Sequence, residues 1–369
     1  MNLERSRSAA ARGIERRGYL GVDLAVSLDG GPPSGFRLGS AGGALWTCAA
    51  KCLLAVGIAT LVSRSVLSFD DPLGLHLPEL SGSGWDQVPL RDVLSHSVGV
   101  TADPGVLSVC LPDDEVLRRI AAAPPDPGQD RGAYTVWTGA FLLGQVIRAA
   151  TGERHDSYLL REIAAPLGLR DTVLVYPRLW LPLLADQSRP LLAAAGLPGP
   201  SSANAKKAEK AEKAETEADI GRWVRRDRVW AGVSASGPMS DLVRVLAALL
   251  PGRAQRTADG PAPLVCAQVA REVTTVRRPA KVASLSENSL AWGLGVAVDR
   301  RLGSPRCSRA TFGHFGLNGA VVAFADPDRD LVAAIRLTGV GAVPGTPLRR
   351  AALIEALLAD TDRARPQCH

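Results

Sequence analysis

The chain has 369 residues, of which 46% are hydrophobic and 22% charged, so it can bury a large core and is not a disordered protein. Its net charge of +6 comes from basic residues spread along the chain, without a stripe interleaved with aromatics, so we expect no nucleic-acid partner. The six cysteines lack paired C-x-x-C spacing and histidine is scarce, which predicts neither a structural metal site nor obligatory disulfides. Free thiols fit a cytoplasmic location.

The first part of the chain predicts a tail followed by two strands. Residues 1–18 are charged and lack the apolar core of a signal peptide, so we expect an N-terminal tail. Residues 21–31 alternate apolar and polar side chains and end in Asp29, Gly30 and Gly31. This pattern predicts a strand and a hairpin turn, in an antiparallel sheet that continues near the C-terminus.

A candidate nucleophile follows in residues 46–51, which read Trp-Thr-Cys-Ala-Ala-Lys. Apolar side chains recur at helical spacing through residues 52–62, so Cys48 and Lys51 share one face of the first helical turn. The positive end of a helix favours a thiolate, and an amine held neutral in a dry pocket can accept the thiol proton. The apolar run 41–62 is long enough to span a bilayer, but Lys51 stands in its middle, so we expect a buried helix and no membrane partner.

Sequence beyond this helix carries a family resemblance. Residues 66–72 read Val-Leu-Ser-Phe-Asp-Asp-Pro and residues 76–79 read His-Leu-Pro-Glu. With Cys48 and Lys51 they resemble the serine β-lactamase and penicillin-binding-protein superfamily, in its class C β-lactamase and esterase branch. There S-x-x-K opens a long helix, and a D-D-P segment and a Y-L-P-E-like turn follow it.

Counting back from Pro72 places Cys48 at the position of the nucleophilic serine and Lys51 at that of the signature lysine. An alternative register makes Ser40 the nucleophile. Its partner three residues later is Gly43, which cannot act as a base. We therefore favour Cys48.

The second signature resembles the Y-x-N motif of the family. Residues 134–144 are similar to Y-S-N-T-G-Y-x-L-L-G with one residue too many. Anchoring on Tyr134 implies a phenol that shares a proton with Lys51, whereas anchoring on Gly144 puts Thr135 at the tyrosine position and Trp137 at the asparagine. We favour Tyr134 as the catalytic tyrosine and expect Trp137 to bind substrate. Neither register supplies the asparagine amide, which argues against β-lactam hydrolysis.

Two further segments complete the resemblance. Residues 90–100 are similar to L-L-T-H-T-S-G-L, which implies a scaffold role for His96. Residues 311–319 resemble the esterase-type F-G-H-x-G-x-x-G, which implies a catalytic His314 on a strand beside the cleft. The resemblance also implies substrate contacts from Gly316 and Asn318, and an oxyanion hole formed by the backbone N–H groups of Cys48 and Leu317.

The resemblance covers most of residues 20–360 and implies an α+β, β-lactamase/transpeptidase-like fold, with an antiparallel sheet flanked by helices plus an all-helical region. We assign the sheet region to residues 19–50 and 229–362, and the mainly helical region to 51–177. Residues 178–228 are an insertion that contains the Ala/Glu/Lys-rich stretch 205–215, and residues 363–369 form a C-terminal tail.

A thiol at the nucleophile position predicts covalent catalysis through an acyl-Cys48 intermediate. Thioesters react with amines, relative to water, better than oxygen esters do. We therefore expect an acyltransferase that moves an acyl group from a small-molecule ester or thioester donor to an amine, without ATP or a cofactor, in natural-product biosynthesis. The alternatives are an esterase or peptidase-type hydrolase, and a non-catalytic protein that retains the fold or carries an engineered cysteine.

Overall fold

The structure is a computed structural model, and it describes residues 1–16, 18–40, 45–100, 111–126, 134–135, 137–174, 232, 234–251, 253, 263–280, 290–316, 320–338 and 346–364. The predicted insertion at 178–228 and the tail beyond residue 364 lie outside these residues. None of the helices in the described ranges combines the length and apolar character that crossing a bilayer requires.

A six-stranded antiparallel sheet forms the centre of the described fold. Its strands lie in the order β2-β1-β10-β9-β8-β7. They are β1 (Gly21–Leu28), β2 (Ser34–Gly39), β7 (Ala297–Val298), β8 (Phe312–Gly316), β9 (Val321–Asp326) and β10 (Leu331–Thr338). Because β1 pairs along its whole length with β10, the sheet joins the two ends of the sequence, as the alternating pattern of residues 21–31 predicts. Short pairs outside this sheet are β3 (Gly99–Val100) with β4 (Pro125–Asp126), and β5 (Val173–Leu174) with β6 (Ala235–Ser236).

Helices cover both faces of the sheet. They are α1 (Glu4–Glu15), α2 (Lys51–Ser63), α3 (Leu73–His76), α4 (Leu90–Leu94), α5 (Asp113–Ala122), α6 (Thr138–Thr151), α7 (His155–Tyr158), α8 (Met239–Ala247), α9 (Ala267–Val273) and α10 (Thr346–Ala364). Single 3₁₀ turns occur at Thr47–Ala50, Pro78–Leu80, Trp85–Gln87, Arg300–Leu302 and Pro327–Arg329, and a π-helical turn at Leu159–Ala164. The antiparallel sheet with flanking helices confirms the predicted fold class.

The hydrophobic core has two parts, one on each face of the sheet. Alternate residues of β10 point to opposite faces, so Val332 and Ala334 join the core under α2, while Ala333 and Ile335 join the core under α10. Helix α2 is buried along the whole stretch from Lys51 to Leu61, as expected for a helix that is apolar on every side. This burial fixes the helix that carries the candidate nucleophile.

The N-terminal segment differs from the predicted tail. Residues Glu4–Glu15 form helix α1, which packs against α10. The Ser6 hydroxyl and backbone N–H donate to the Asp360 carboxylate at 2.7 and 2.9 Å, and Ala9 and Ala10 are buried. A helix whose buried face consists of serine and alanine shows little apolar periodicity, which explains why the sequence pattern indicated a tail.

Candidate active site

Cys48 lies in the 3₁₀ turn Thr47–Ala50, directly before helix α2. The buried Trp46 holds this turn in place: its indole N–H donates to the Gly237 carbonyl at 3.0 Å, and its backbone N–H to the Ala235 carbonyl at 3.0 Å. The Cys48 thiol is half-buried, whereas Cys52 is fully buried, and burial raises the pKa of Cys52 to about 12. Of these neighbouring thiols, only Cys48 has the access that a nucleophile needs.

Lys51 is the first residue of α2 and stands three positions after Cys48. Side chains at i and i+3 eclipse in a 3₁₀ turn, so the thiol and the amine leave the chain on the same side, as the sequence predicts. Lys51 is only 5% exposed, and its Nζ lies 5.2 Å from the centre of the Tyr134 ring. A side chain at Gly232 would come within 3.1 Å of the Lys51 Cγ, so a second segment packs against the lysine stem.

The predicted alternative nucleophile, Ser40, occupies a different environment. It is exposed just after strand β2, and its carbonyl accepts a hydrogen bond from the Thr338 hydroxyl. Its backbone N–H donates to the Leu20 carbonyl at 2.9 Å. Both contacts tie Ser40 to the sheet, whereas Cys48 begins the buried helix that carries the lysine.

Strand β8 passes directly beside the nucleophile turn. A Cβ atom at Gly316 would lie 1.7 Å from the Thr47 hydroxyl oxygen and 2.9 Å from the Cys48 backbone nitrogen, so only glycine fits there. Thr47 itself has φ of 53°, a left-handed conformation that is costly for a β-branched residue. The structure therefore places Gly316 against the Cys48 amide. Leu317 and Asn318 lie outside the described residues, so their assignments stay predictions.

Tyr134, whose ring faces Lys51, also contacts His314. The Tyr134 hydroxyl lies 3.5 Å from His314 Nε2, and His314 Nδ1 lies 2.6 Å from the Phe315 carbonyl oxygen. A carbonyl oxygen can only accept, so Nδ1 carries the ring proton and Nε2 is left to accept from the tyrosine. Burial, helped by the charge of Lys51, lowers the pKa of His314 to about 3. The imidazole is therefore neutral at neutral pH.

His96 packs against the Tyr134 ring and is hydrogen-bonded to the next residue, Thr135. Its Nδ1 accepts from the Thr135 backbone N–H at 3.3 Å and lies 3.0 Å from the Thr135 hydroxyl. Its ring lies 4.6 Å from the ring of Tyr134, and burial lowers its pKa well below the usual value. The geometry thus fits the predicted scaffold role. It also favours the register anchored on Tyr134, because Thr135 is occupied with His96.

Trp292 is a site residue that the sequence did not single out. Its ring stacks on Tyr134 at 5.4 Å and meets His96 and His314 edge-on at 4.6 and 5.3 Å. The sequence offers one signal, since residues 291–298, which begin Ala-Trp-Gly-Leu-Gly, resemble the family's Y-G-L-G-W-x-V strand. The predicted substrate contact Trp137 precedes α6 and is half-buried. Its contact with substrate stays a prediction.

The buried His314 predicts an acid-sensitive fold. Its folded pKa is about 3, whereas an unfolded histidine titrates near 6.5, so below pH 6.5 the unfolded chain binds a proton that the folded chain refuses. Stability is therefore lost as pH falls from about 6.5 to 3. Relative to wild type, His314→Gln should recover about 2 kcal/mol of the stability lost between pH 7 and 4.5, measured by urea unfolding. Identical losses in the two proteins would contradict a neutral His314.

Comparison with proteins of known name gives one curated relative. A segment of 163 residues is 29% identical to "Esterase/beta-lactamase LipL" of Mycobacterium tuberculosis (strain ATCC 25618 / H37Rv). The match covers 41% of the present chain and 38% of LipL, so the chain matches well under half the length of that relative.

Solved structures match over nearly the whole chain. A penicillin-binding-protein homologue from Caulobacter crescentus has a TM-score of 0.68 at 22% identity and covers 97% of each chain. The D-amino acid amidase of Ochrobactrum anthropi SV3 has a TM-score of 0.66 at 19% identity, covering 96% of the present chain and 99% of the amidase. At these identities the likeness shows a shared fold.

The family comparison agrees with the described geometry. The model of the beta-lactamase family matches residues 44–358, a range that includes the nucleophile turn, the Tyr134 segment and the strand that carries His314. Since this range is most of the chain, the protein belongs to the beta-lactamase family.

Proposed function

We propose that this protein is an acyltransferase that forms a covalent thioester on Cys48 and passes the acyl group to an amine. One observation carries the proposal: a half-buried thiol stands one turn from a buried lysine at the start of a buried helix. Tyr134 and the neutral His314 lie next to each other, and the Tyr134 ring faces that lysine. The donor is a small-molecule ester or thioester, and no cofactor takes part.

The first half-reaction loads the enzyme. Lys51 in its neutral form accepts the thiol proton, and the Cys48 thiolate attacks the carbonyl carbon of the donor. The negative charge on the carbonyl oxygen is stabilised by the backbone N–H of Cys48 and, by prediction, that of Leu317. The intermediate then expels the donor's alcohol or thiol, which takes the proton back from Lys51, and an acyl-Cys48 thioester remains.

The second half-reaction releases the product. An amine attacks the thioester carbonyl, and Lys51 takes a proton from the attacking nitrogen. The Cys48 thiolate then leaves and takes this proton from Lys51. Tyr134 is placed to pass protons at this step, because its hydroxyl donates toward the bare Nε2 of His314 and its ring lies against Lys51. The products are an amide and free enzyme, so no ATP is needed.

The thiol favours an amine over water as the final acceptor. A thioester carbonyl reacts with amines more readily, relative to water, than an oxygen ester does, and the family's usual serine would form an oxygen ester. The fold neighbour from Ochrobactrum anthropi is named as an amidase, which agrees with amide chemistry on this fold. Natural-product biosynthesis and the reducing cytoplasm, where a catalytic thiol stays reduced, are the setting that we propose.

Ester hydrolysis is the second candidate, because the curated relative is named as an esterase and β-lactamase. It uses the same loaded enzyme, with water in place of the amine. The two candidates differ only in which nucleophile releases the acyl group, so one experiment separates them.

The test loads the protein with p-nitrophenyl esters and follows intact mass with and without added amines. We expect an acyl adduct that amines release as amide at least tenfold faster than water does. Cys48→Ala should show no adduct, whereas Cys266→Ala, which removes the other half-buried thiol of the described chain, should load normally. Cys48→Ser should shift the products toward free acid.

Three results would contradict the proposal. Release by water alone establishes the hydrolase. Turnover that persists in Cys48→Ala removes the mechanism for both candidates. If the wild-type protein forms no adduct with any donor and its Cys48 resists alkylation, the protein is non-catalytic.

A further inference from the structure

An apolar cavity lies beneath the candidate site, between helices α2, α4 and α6. It encloses about 290 Å³ including its open mouth, and its free centre has room for about one water-sized group. Aliphatic side chains form most of its wall, among them Leu54, Val93 and Leu143. The polar side chains in the wall are Lys51 and His96, both of which belong to the candidate site. The cavity therefore adjoins the candidate site, but the proposed mechanism does not use it.

Backbone and small residues fix the edges of the cavity. A Cβ atom at Gly139 would come 2.7 Å from the Thr135 hydroxyl, and one at Gly295 would come 2.7 Å from the Cβ of Ala55. A Cβ atom at either position would force a neighbouring atom to move, so both edges of the cavity are closely packed. A cavity in a protein core costs stability, so a ligand group that fills it binds favourably.

Helix α2 places the cavity on the same side as the nucleophile. Lys51 and Ala55 line it, and they follow Cys48 at i+3 and i+7, the spacing of a single helix face. The lining begins about 6 Å along the axis from Cys48. A butanoyl group on the Cys48 sulfur is long enough to cover that distance.

We infer that this cavity binds the hydrocarbon end of the acyl group carried by Cys48, and that it selects a short, unbranched aliphatic acyl group of about butanoyl size. This inference rests on the proposed function. An alkyl end fits better than water, since aliphatic groups form most of the wall and the Nδ1 atom of His96, one of its few polar atoms, is already bonded to Thr135. The selection acts on the donor and is independent of whether water or an amine completes the reaction.

The test measures how fast Cys48 is acylated by p-nitrophenyl acetate, butanoate, hexanoate and octanoate, from the adduct seen by intact mass. Wild type should prefer butanoate. Leu143→Ala enlarges the cavity and should raise the hexanoate-to-butanoate ratio about sixteenfold, at about fourfold for each of the two additional methylenes. Val93→Ile narrows it and should lower the butanoate-to-acetate ratio about fourfold.

The control is Leu142→Ala, which removes a fully buried side chain from the same helix without touching the cavity wall. It should keep the wild-type ratios. If Leu143→Ala and Val93→Ile also keep them while Cys48 is still acylated, the cavity does not hold the acyl chain and the inference fails alone. If wild type is not acylated by any of the four donors, the proposed function fails and the inference fails with it. Val93→Ile conserves most of the packing, so the test stands even where Leu143→Ala does not fold.

Discussion

Lys51→Met should lower acylation of Cys48 by about 10²- to 10⁴-fold, the usual contribution of a positioned general base. Methionine has nearly the length of lysine but no amine, so the helix keeps its packing while the thiol loses its proton acceptor. Because a buried amine is costly to desolvate, the free energy of unfolding should stay the same or rise. The acylation rate is measured from the p-nitrophenol burst, and stability from urea unfolding.

A second readout separates loss of the base from a packing defect. The positive charge that Lys51 carries when protonated helps to lower the pKa of both His96 and His314, so its removal should raise both values, which NMR of the imidazole protons detects. Leu53→Met changes a buried neighbour on α2 and should leave activity and both histidines unaffected. Acylation within a few-fold of wild type in Lys51→Met would show that another group takes the thiol proton.

The sequence was sufficient for the parts of the fold that depend on local pattern. Alternation in residues 21–31 predicts β1 and its hairpin with β2, and the structure pairs these strands as expected. The apolar run after Cys48 and Lys51 predicts a buried helix, and the structure begins α2 at Lys51, with Cys48 in the 3₁₀ turn directly before it. These features could be predicted because each depends on residues that are near one another in the chain.

The parts that were missed depend on contacts between distant segments. Trp292 joins the site because its segment folds back onto Tyr134 and His314, which no local pattern reports. The positive φ of Thr47 is equally invisible, since a β-branched residue is the last that sequence rules would place there. The sequence predicts a tail where the structure has helix α1. The buried face of α1 consists of small side chains, and these are buried only because α1 packs against α10.

The close approach of β8 to the nucleophile turn gives the second large effect. Gly316→Ala should lower acylation at least about 10²-fold, the loss that follows when an oxyanion-hole donor is displaced. The new methyl group would overlap the Thr47 hydroxyl oxygen and press on the Cys48 backbone nitrogen, so the turn or the strand must move. Overpacking of this kind also costs about 1–3 kcal/mol of stability, which urea unfolding measures beside the acylation rate.

Gly35→Ala is the matched control. Gly35 lies in β2, the edge strand of the same sheet, and its new methyl group would lie 2.0 Å from the carbonyl oxygen of Leu24 in the neighbouring strand β1. This variant should lose comparable stability yet keep its activity per folded molecule. Thr47 lies next to Gly316 and has a strained φ. Displacing this turn in Gly316→Ala should therefore also slow the alkylation of Cys48 by iodoacetamide, or alter the pH dependence of that alkylation. Equal activity in the two folded variants would mean that the amide of Cys48 does not stabilise the developing oxyanion, and the hole would then have to be sought on another face of the cleft.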